Sequence, residues 1–265
     1  MRLKQVLRIT THGWHNSPFK SREHLSTFQF PEDENSKASK IQSHQADAHH
    51  QYLIKENRVL KKQIPNDLLY LLKAYRSNSQ SFNHNLRLHC PDSVSNWARN
   101  PQRLDVIKLD SIFSYMGPLK RTLTVYRGES FHCDHFTPPQ VGDNITFRQY
   151  LSTSLDKRLA EGFCFLGEEA KDRHDLLYKI KLPSGHTAAY CPAADIENHH
   201  LDYEKEVLLP RNSSFIVERL SYEKSAMGKY YLQIKLTPQI CRSMSLNPDT
   251  KSKNARMAKA FILSN

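Results

Sequence analysis

Three short stretches of the chain hold side chains whose types and spacing suit shared chemistry. In TVYRG (124–128), Arg127 ends an apolar run and Gly128 follows it. A guanidinium there presents its fork to a phosphate, and the glycine lets a ligand approach the backbone. In YLSTSLDKRLAEGF (150–163), Ser152, Thr153 and Ser154 follow apolar residues, and a short helix is expected after them. Hydroxyls in such a run hydrogen-bond a ribose or hold a carboxylate in place. In LDYEKEVLLP (201–210), Glu204 and Glu206 stand two residues apart where a loop enters a strand. Period 2 places both on one face of an extended chain. Two carboxylates on one face repel unless a cation or donor is near, an unusual arrangement beside Val207, Leu208 and Leu209 unless the pair has work to do. Each stretch alone also has a plain structural explanation: a surface arginine at a strand end, a turn in which Ser154 or Asp156 caps a helix, and a charged solvent face.

Such side chains need a scaffold. Pro65 and Asn66 open a run in which Leu68, Leu69, Leu71, Leu72 and Tyr75 form an apolar face at helical spacing. Asp92 or Ser93 would cap a following helix. Leu104, Ile107, Leu109, Ile112 and Phe113 make another broad helical face over 103–115. From about residue 122 the pattern changes. TLTVYRG, NITFRQYLSTS, LLYKIKL, EVLLP, SFIVERLSY and KYYLQIKL read as short strands, interrupted by a helix in DKRLAEGFCF. Helices followed by strands make an α+β chain.

The 265 residues carry a formal net charge of +11. That charge attracts phosphates, nucleic acid, anionic membrane or an acidic protein, and by itself does not choose among them. The basic residues are dispersed, with no helix-turn-helix or zinc-finger spacing, so no nucleic-acid partner is expected. No stretch approaches the length of a membrane span. Five scattered cysteines, odd in number and without a CxxC pair, argue for a reducing workplace. The N-terminus lacks the apolar run of a cleavable secretory signal. Residues 1–60, rich in Ser, Gln, His, Asn and Lys, read as a flexible leader and possible secretion segment. Residues 61–242 read as the folded domain, and 243–265 as a loose basic tail. HQADAHH (44–50) reads as solvated surface rather than a metal site. In HCDH (132–135) alternate side chains of a strand point to opposite faces, so no metal is expected there either.

Taken together, the three stretches resemble the Arg-Ser-Glu class of mono-ADP-ribosyltransferases, the class of the clostridial binary toxins and several bacterial effectors. In that family an apolar strand ends in YR, a second carries S-T-S, and a third begins with E-x-E followed by V-L-L-P. All three occur here in that order. The lead-in SFNHNLR (81–87) and LDSIFSYMGPLKRTLTVYRG are also similar, so the resemblance runs from about residue 65 to about 236. It implies a helical N-terminal lobe packed on two small, mostly antiparallel sheets, with NAD⁺ as substrate in the cleft and no metal. It implies that Arg127 grips the diphosphate and that Gly128, through its backbone, fits the nicotinamide amide. Ser152 would hold the catalytic carboxylate and help seat the nicotinamide ribose, supported by Thr153 and Ser154. Phe163 would stack on nicotinamide, although it shares a face with Leu159 and suits a core position equally well. Glu206 would be the catalytic carboxylate, Glu204 would meet the acceptor, and Tyr203 would touch it.

In the family, glutamate at the position of Glu204 goes with arginine acceptors, so the expected reaction places ADP-ribose on an arginine of a host protein. Actin, a small GTPase and ubiquitin are the kinds of target the resemblance suggests. A threonine acceptor on ubiquitin, simple NAD⁺ hydrolysis and a degenerate fold kept for binding are the alternatives. The expected setting is a bacterial effector, secreted without a cleavable signal peptide and acting in the host cytosol.

Overall fold

The computed structural model describes residues 44–55, 64–79, 82–83, 86, 103–132, 138–165, 173–190, 204–225 and 228–239. Among the described residues the N-terminal part holds helices α1 (44–55), α2 (Asn66–Ser77), α3 (Arg103–Asp110) and α4 (Ile112–Met116). Strands β1 (Leu123–His132), β2 (Asn144–Phe147) and β3 (Leu151–Ser154) follow, then helix α5 (Lys157–Cys164). Strands β4 (Arg173–Leu182), β5 (Ala189–Tyr190), β6 (Glu206–Leu209), β7 (Ser213–Lys224) and β8 (Tyr230–Pro238) complete the order. The α+β reading holds, and α2 begins where Pro65 and Asn66 predict. The position of Asp92 and Ser93 lies outside the described residues.

The strands form one eight-stranded sheet in the order β2-β7-β8-β4-β1-β3-β6-β5, rather than two separate sheets. Its two halves are stitched at a single Cα pair, Tyr126 with Ser154. On one side of that seam β1 runs antiparallel to β4 over its whole length, and β4 pairs parallel with β8. On the other side β3 pairs antiparallel with β6. The run NITFRQYLSTS is therefore two strands. β2 pairs with β7 at one edge, and the chain then crosses to the other half to begin β3. Tyr150 explains the break. Its side chain is fully buried, edge-on to Tyr75 and stacked on Phe113. Its hydroxyl lies 2.7 Å from Asp110 Oδ1 and 2.9 Å from the Val106 carbonyl. Arg211 forks onto the same Asp110 through Nε and Nη2. A residue so committed to the helical lobe turns the strand out of line.

The main core joins both layers. Leu68, Leu72 and Tyr75 of α2 and Val106 and Leu109 of α3 pack with Val125, Tyr178, Ile180, Val207 and Leu209 of the sheet. A smaller cluster under α5 holds Tyr126, Ala160, Cys164, Leu177 and Tyr231. Alternation along β1 and β4 sends neighbouring residues to opposite faces. The segment read as a leader contributes to this core. Ala46 and Leu53 of α1 are buried in the main cluster, because an i, i+7 pair gives even a His-rich helix one apolar stripe.

Helix α5 lies directly against the sheet at Gly128. A Cβ there would stand 1.9 Å from the Ala160 carbonyl oxygen and 2.8 Å from the Cys164 backbone nitrogen. Both are backbone atoms of α5, which cannot swing away as a side chain would. Gly128→Ala should therefore cost about 3 kcal/mol or more. In a thermal melt this corresponds to a fall of about 6–12 °C. A melt within 2 °C of the parent would show that α5 is not seated as described.

Candidate active site

The three stretches meet at the seam between the halves of the sheet. Ser152 is their common point. Its backbone carbonyl accepts a hydrogen bond of 2.8 Å from Arg127 Nη1, and its hydroxyl donates to Glu206 Oε1. Arg127 and Glu206 are thus brought to one residue from two strands that do not pair with each other.

Arg127 stands on the same face of β1 as Glu129, which follows it by two. Glu129 Oε1 accepts from Nε at 2.6 Å and lies 2.5 Å from Nη2. Burial by itself would lower the affinity of the guanidinium for its proton. Glu129 outweighs that and holds the group above its ordinary range. The arginine is a fixed cation whose side chain is 13% exposed. Tyr178, its register partner on β4, is buried beside this pair. Burial first, and Glu129 second, push its phenol well above the usual range, so it stays neutral.

The S-T-S run clasps the E-x-E turn at successive points. Ser152 reaches the Glu206 carboxylate. Thr153 Oγ1 donates to the Val207 carbonyl at 2.5 Å. Ser154 Oγ donates to the Glu204 carbonyl at 2.7 Å and accepts from the Asp156 amide at 2.9 Å. The Leu155 amide donates to the Lys205 carbonyl at 3.2 Å. The helix cap is Asp156, whose side chain accepts from the Arg158 amide. Ser154 serves the turn instead.

The expected extended geometry of Glu204 and Glu206 does not occur. Lys205 between them has φ of 44°, in the left-handed region, so the chain turns before β6 starts at Glu206. The two carboxylates do not share a strand face through period 2. They are brought in separately and both are buried, Glu204 at 6% exposure and Glu206 at 2%. The turn is braced from outside by Lys205 Nζ, 2.6 Å from Asp47 of α1 and 3.5 Å from Asp156. His50 of α1 meets the Tyr190 hydroxyl of β5.

A second arginine completes the site and has no counterpart among the residues singled out in the sequence. Arg76 in the last turn of α2 is 1% exposed, and its Nε lies 2.9 Å from Glu206 Oε2. The signal was present. Leu68, Leu72 and Arg76 repeat every four residues, which puts a charge on the apolar stripe of the helix. Glu129 could have been found from its period-2 relation to Arg127. Neighbouring Tyr75 is tied to the SFNHNLR stretch by Asn83 Nδ2, which donates to its hydroxyl at 3.1 Å.

Among the remaining expected site residues, Gly128 packs against α5, and Phe163 is half-buried on α5 outside both core clusters. Tyr203 lies outside the described residues, as do residues 133–135 of HCDH. Among the described residues no group of three or more His, Cys, Asp or Glu side chains is arranged to hold a metal ion. Among them, too, no helix is long and apolar enough to cross a membrane.

The arrangement suits a donor with an anionic diphosphate at one end and a reacting ribose at the other. A fixed guanidinium and a carboxylate lie on either side of one serine. The fold resembles that of Plx2a, an ADP-ribosyltransferase toxin from Paenibacillus larvae, at 19% identity and a TM-score of 0.56, covering 74% of this chain and 96% of that one. It also resembles Vis toxin, an ADP-ribosyltransferase from Vibrio splendidus, at 15% identity and a TM-score of 0.55, covering 80% and 90%. The enzymatic component C2-I of the C2 toxin from Clostridium botulinum aligns at 16% identity and a TM-score of 0.54, covering 74% of this chain and 48% of that one. A comparison with curated protein sequences finds no match. The sequence matches the ADP-ribosyltransferase exoenzyme family over residues 51–238. With that match extending over well more than half of its length, the chain belongs to the ADP-ribosyltransferase exoenzyme family, an NAD⁺-dependent group of mono-ADP-ribosyltransferases.

Proposed function

We propose that this enzyme transfers ADP-ribose from NAD⁺ to a host protein, with arginine the preferred acceptor, and that it acts as a secreted bacterial effector in the host cytosol. The observation that carries the reading is the double use of Ser152, which ties Arg127 to Glu206. In this reading Arg127 grips the diphosphate, its fork already set by Glu129. Gly128 offers its backbone to the nicotinamide amide, and Phe163 stacks on the ring. The bond between ribose C1′ and nicotinamide breaks early, leaving positive charge on the sugar. Glu206 holds the ribose 2′-hydroxyl and stabilises that charge. Ser152 keeps the carboxylate in place, and Thr153 and Ser154 keep the turn that carries it.

Glu204 meets the acceptor side chain of the target, with Tyr203 beside it. A carboxylate pairs with a guanidinium and draws off its proton as the acceptor attacks. Water needs no such partner, so Glu204 favours transfer over hydrolysis. Actin or a small GTPase would offer an arginine. A threonine of ubiquitin is the hydroxyl alternative.

The test is incubation with labelled NAD⁺ and a eukaryotic cell lysate, alongside Glu204→Ala and Glu206→Ala. Protein labelling and free nicotinamide are both followed. A discrete labelled band, absent with either variant, is expected, and mass spectrometry of that band names the acceptor. Nicotinamide release without labelling would replace transfer with hydrolysis. Absence of any turnover would remove the enzymatic reading of this site.

A further inference from the structure

We infer that Arg76 is a positioning residue for the catalytic carboxylate: it fixes Glu206 from the side opposite Ser152 and so sets the rate of nicotinamide cleavage without contributing to NAD⁺ affinity. The inference rests on the role proposed above for Glu206.

The geometry is specific. Glu206 is almost fully buried, and its two oxygens are addressed separately. Oε1 receives the Ser152 hydroxyl, and Oε2 receives Arg76 Nε at 2.9 Å. A carboxylate withdrawn from water needs compensation for its lost hydration. One serine hydroxyl supplies a single hydrogen bond and no charge. Arg76 supplies the charge. It also removes rotational freedom, because a carboxylate pinned at both oxygens cannot turn about its last bond. The pin comes from a helix whose stripe of Leu68, Leu72 and Tyr75 is locked into the core. A site held by a rigid element is held more tightly than one held by a loop. Arg127 is engaged elsewhere, by Glu129 and the Ser152 carbonyl, so the two cations have separate tasks.

Rates and binding separate this from a merely structural role. Arg76→Met keeps the length and apolar stem but removes the charge. It should lower kcat for nicotinamide release on the order of 10²-fold, while Kd for NAD⁺ by fluorescence titration stays within about 2-fold. Arg76→Lys keeps a cation but lacks the Nε donor and the planar fork. It should recover about 10-fold of the loss.

A thermal melt adds a reading that does not depend on turnover. On the parent background Arg76→Met leaves a buried carboxylate without its cation, and Tm falls. On a Glu206→Gln background there is no carboxylate charge to compensate, and the fall should vanish or reverse.

Equal kcat for parent and Arg76→Met would overturn the inference and leave Glu206 in its role. So would a loss of NAD⁺ affinity that accounts for the whole effect, or an equal fall in Tm on both backgrounds. If the parent protein itself releases no nicotinamide, with or without lysate, the reading of Glu206 fails and this inference with it, a different result from equal rates.

Discussion

Glu206→Gln should lower nicotinamide release by a factor of about 10³ and also lower the thermal stability of the protein. The two effects share one cause. Glutamine has the shape of glutamate and still offers Ser152 an oxygen. Its amide nitrogen, however, would then face Arg76 Nε, where Glu206 Oε2 now accepts at 2.9 Å. A donor would meet a donor, and the buried guanidinium would lose the Glu206 carboxylate. Breaking a buried pair from one side costs about 3–5 kcal/mol. In the role proposed for Glu206, the catalytic loss comes from the missing negative charge beside the ribose as the nicotinamide bond opens. The two are separated by assaying well below the melting transition, where the variant is still folded. A variant that melts early yet turns over at the parent rate would show that Glu206 is a structural anion and would move the chemistry elsewhere. A variant with the parent melt and no turnover would show that the Arg76 contact has little energetic weight.

Much of this site can be read along the chain because its parts are strand-borne. Arg127, the S-T-S run and the first residue of β6 each stand at a fixed step from an apolar strand, and the apolar steps set the pairing of β3 with β6. The strands themselves were legible for the same reason. The joining of the sheet halves was not, because Tyr126 and Ser154 form one pair and nothing in the residues around it distinguishes a stitched seam from two separate sheets. Helix α1 was hidden by its composition. Only Ala46 and Leu53 are buried in its main contacts, and His44, Asp47, His49 and His50 around them read as solvated chain. Arg76 was hidden by a different ambiguity. An arginine on an apolar stripe ordinarily lays its stem on the core and carries its head to water. Here the head goes inward, because a carboxylate from a residue 130 positions away is there to meet it. Such a pairing belongs to the tertiary fold and has no local signature.

The turn at Lys205 is the least legible part and one of the most consequential. A left-handed residue is announced in most sequences by glycine or asparagine, and lysine gives no such notice. Holding a non-glycine residue there costs about 1–2 kcal/mol, so surrounding contacts must impose it. The contacts are visible: Leu155 on the Lys205 carbonyl, Ser154 on the Glu204 carbonyl, and Asp47 and Asp156 on the ammonium.

Two substitutions separate the backbone from the charge. Lys205→Pro fixes φ near −65°, which the observed φ of 44° does not permit. The turn must then open and carry both glutamates off their places. A shift on the order of 1 Å in a catalytic group costs about 10²-fold, so nicotinamide release and protein labelling should both fall by at least that factor. Lys205→Gly adopts the left-handed conformation without strain and keeps both backbone clasps, losing only the ammonium. Its activity should stay within about 3-fold of the parent, because the ion pairs it gives up are partly exposed and contribute about 1 kcal/mol or less each. If glycine is as damaging as proline, the ammonium and its partners on α1 and α5 hold the turn, and α1 is part of the catalytic apparatus. If proline is tolerated, the placement of Glu204 and Glu206 does not depend on this turn, and the clasp by the S-T-S run has no bearing on the rate.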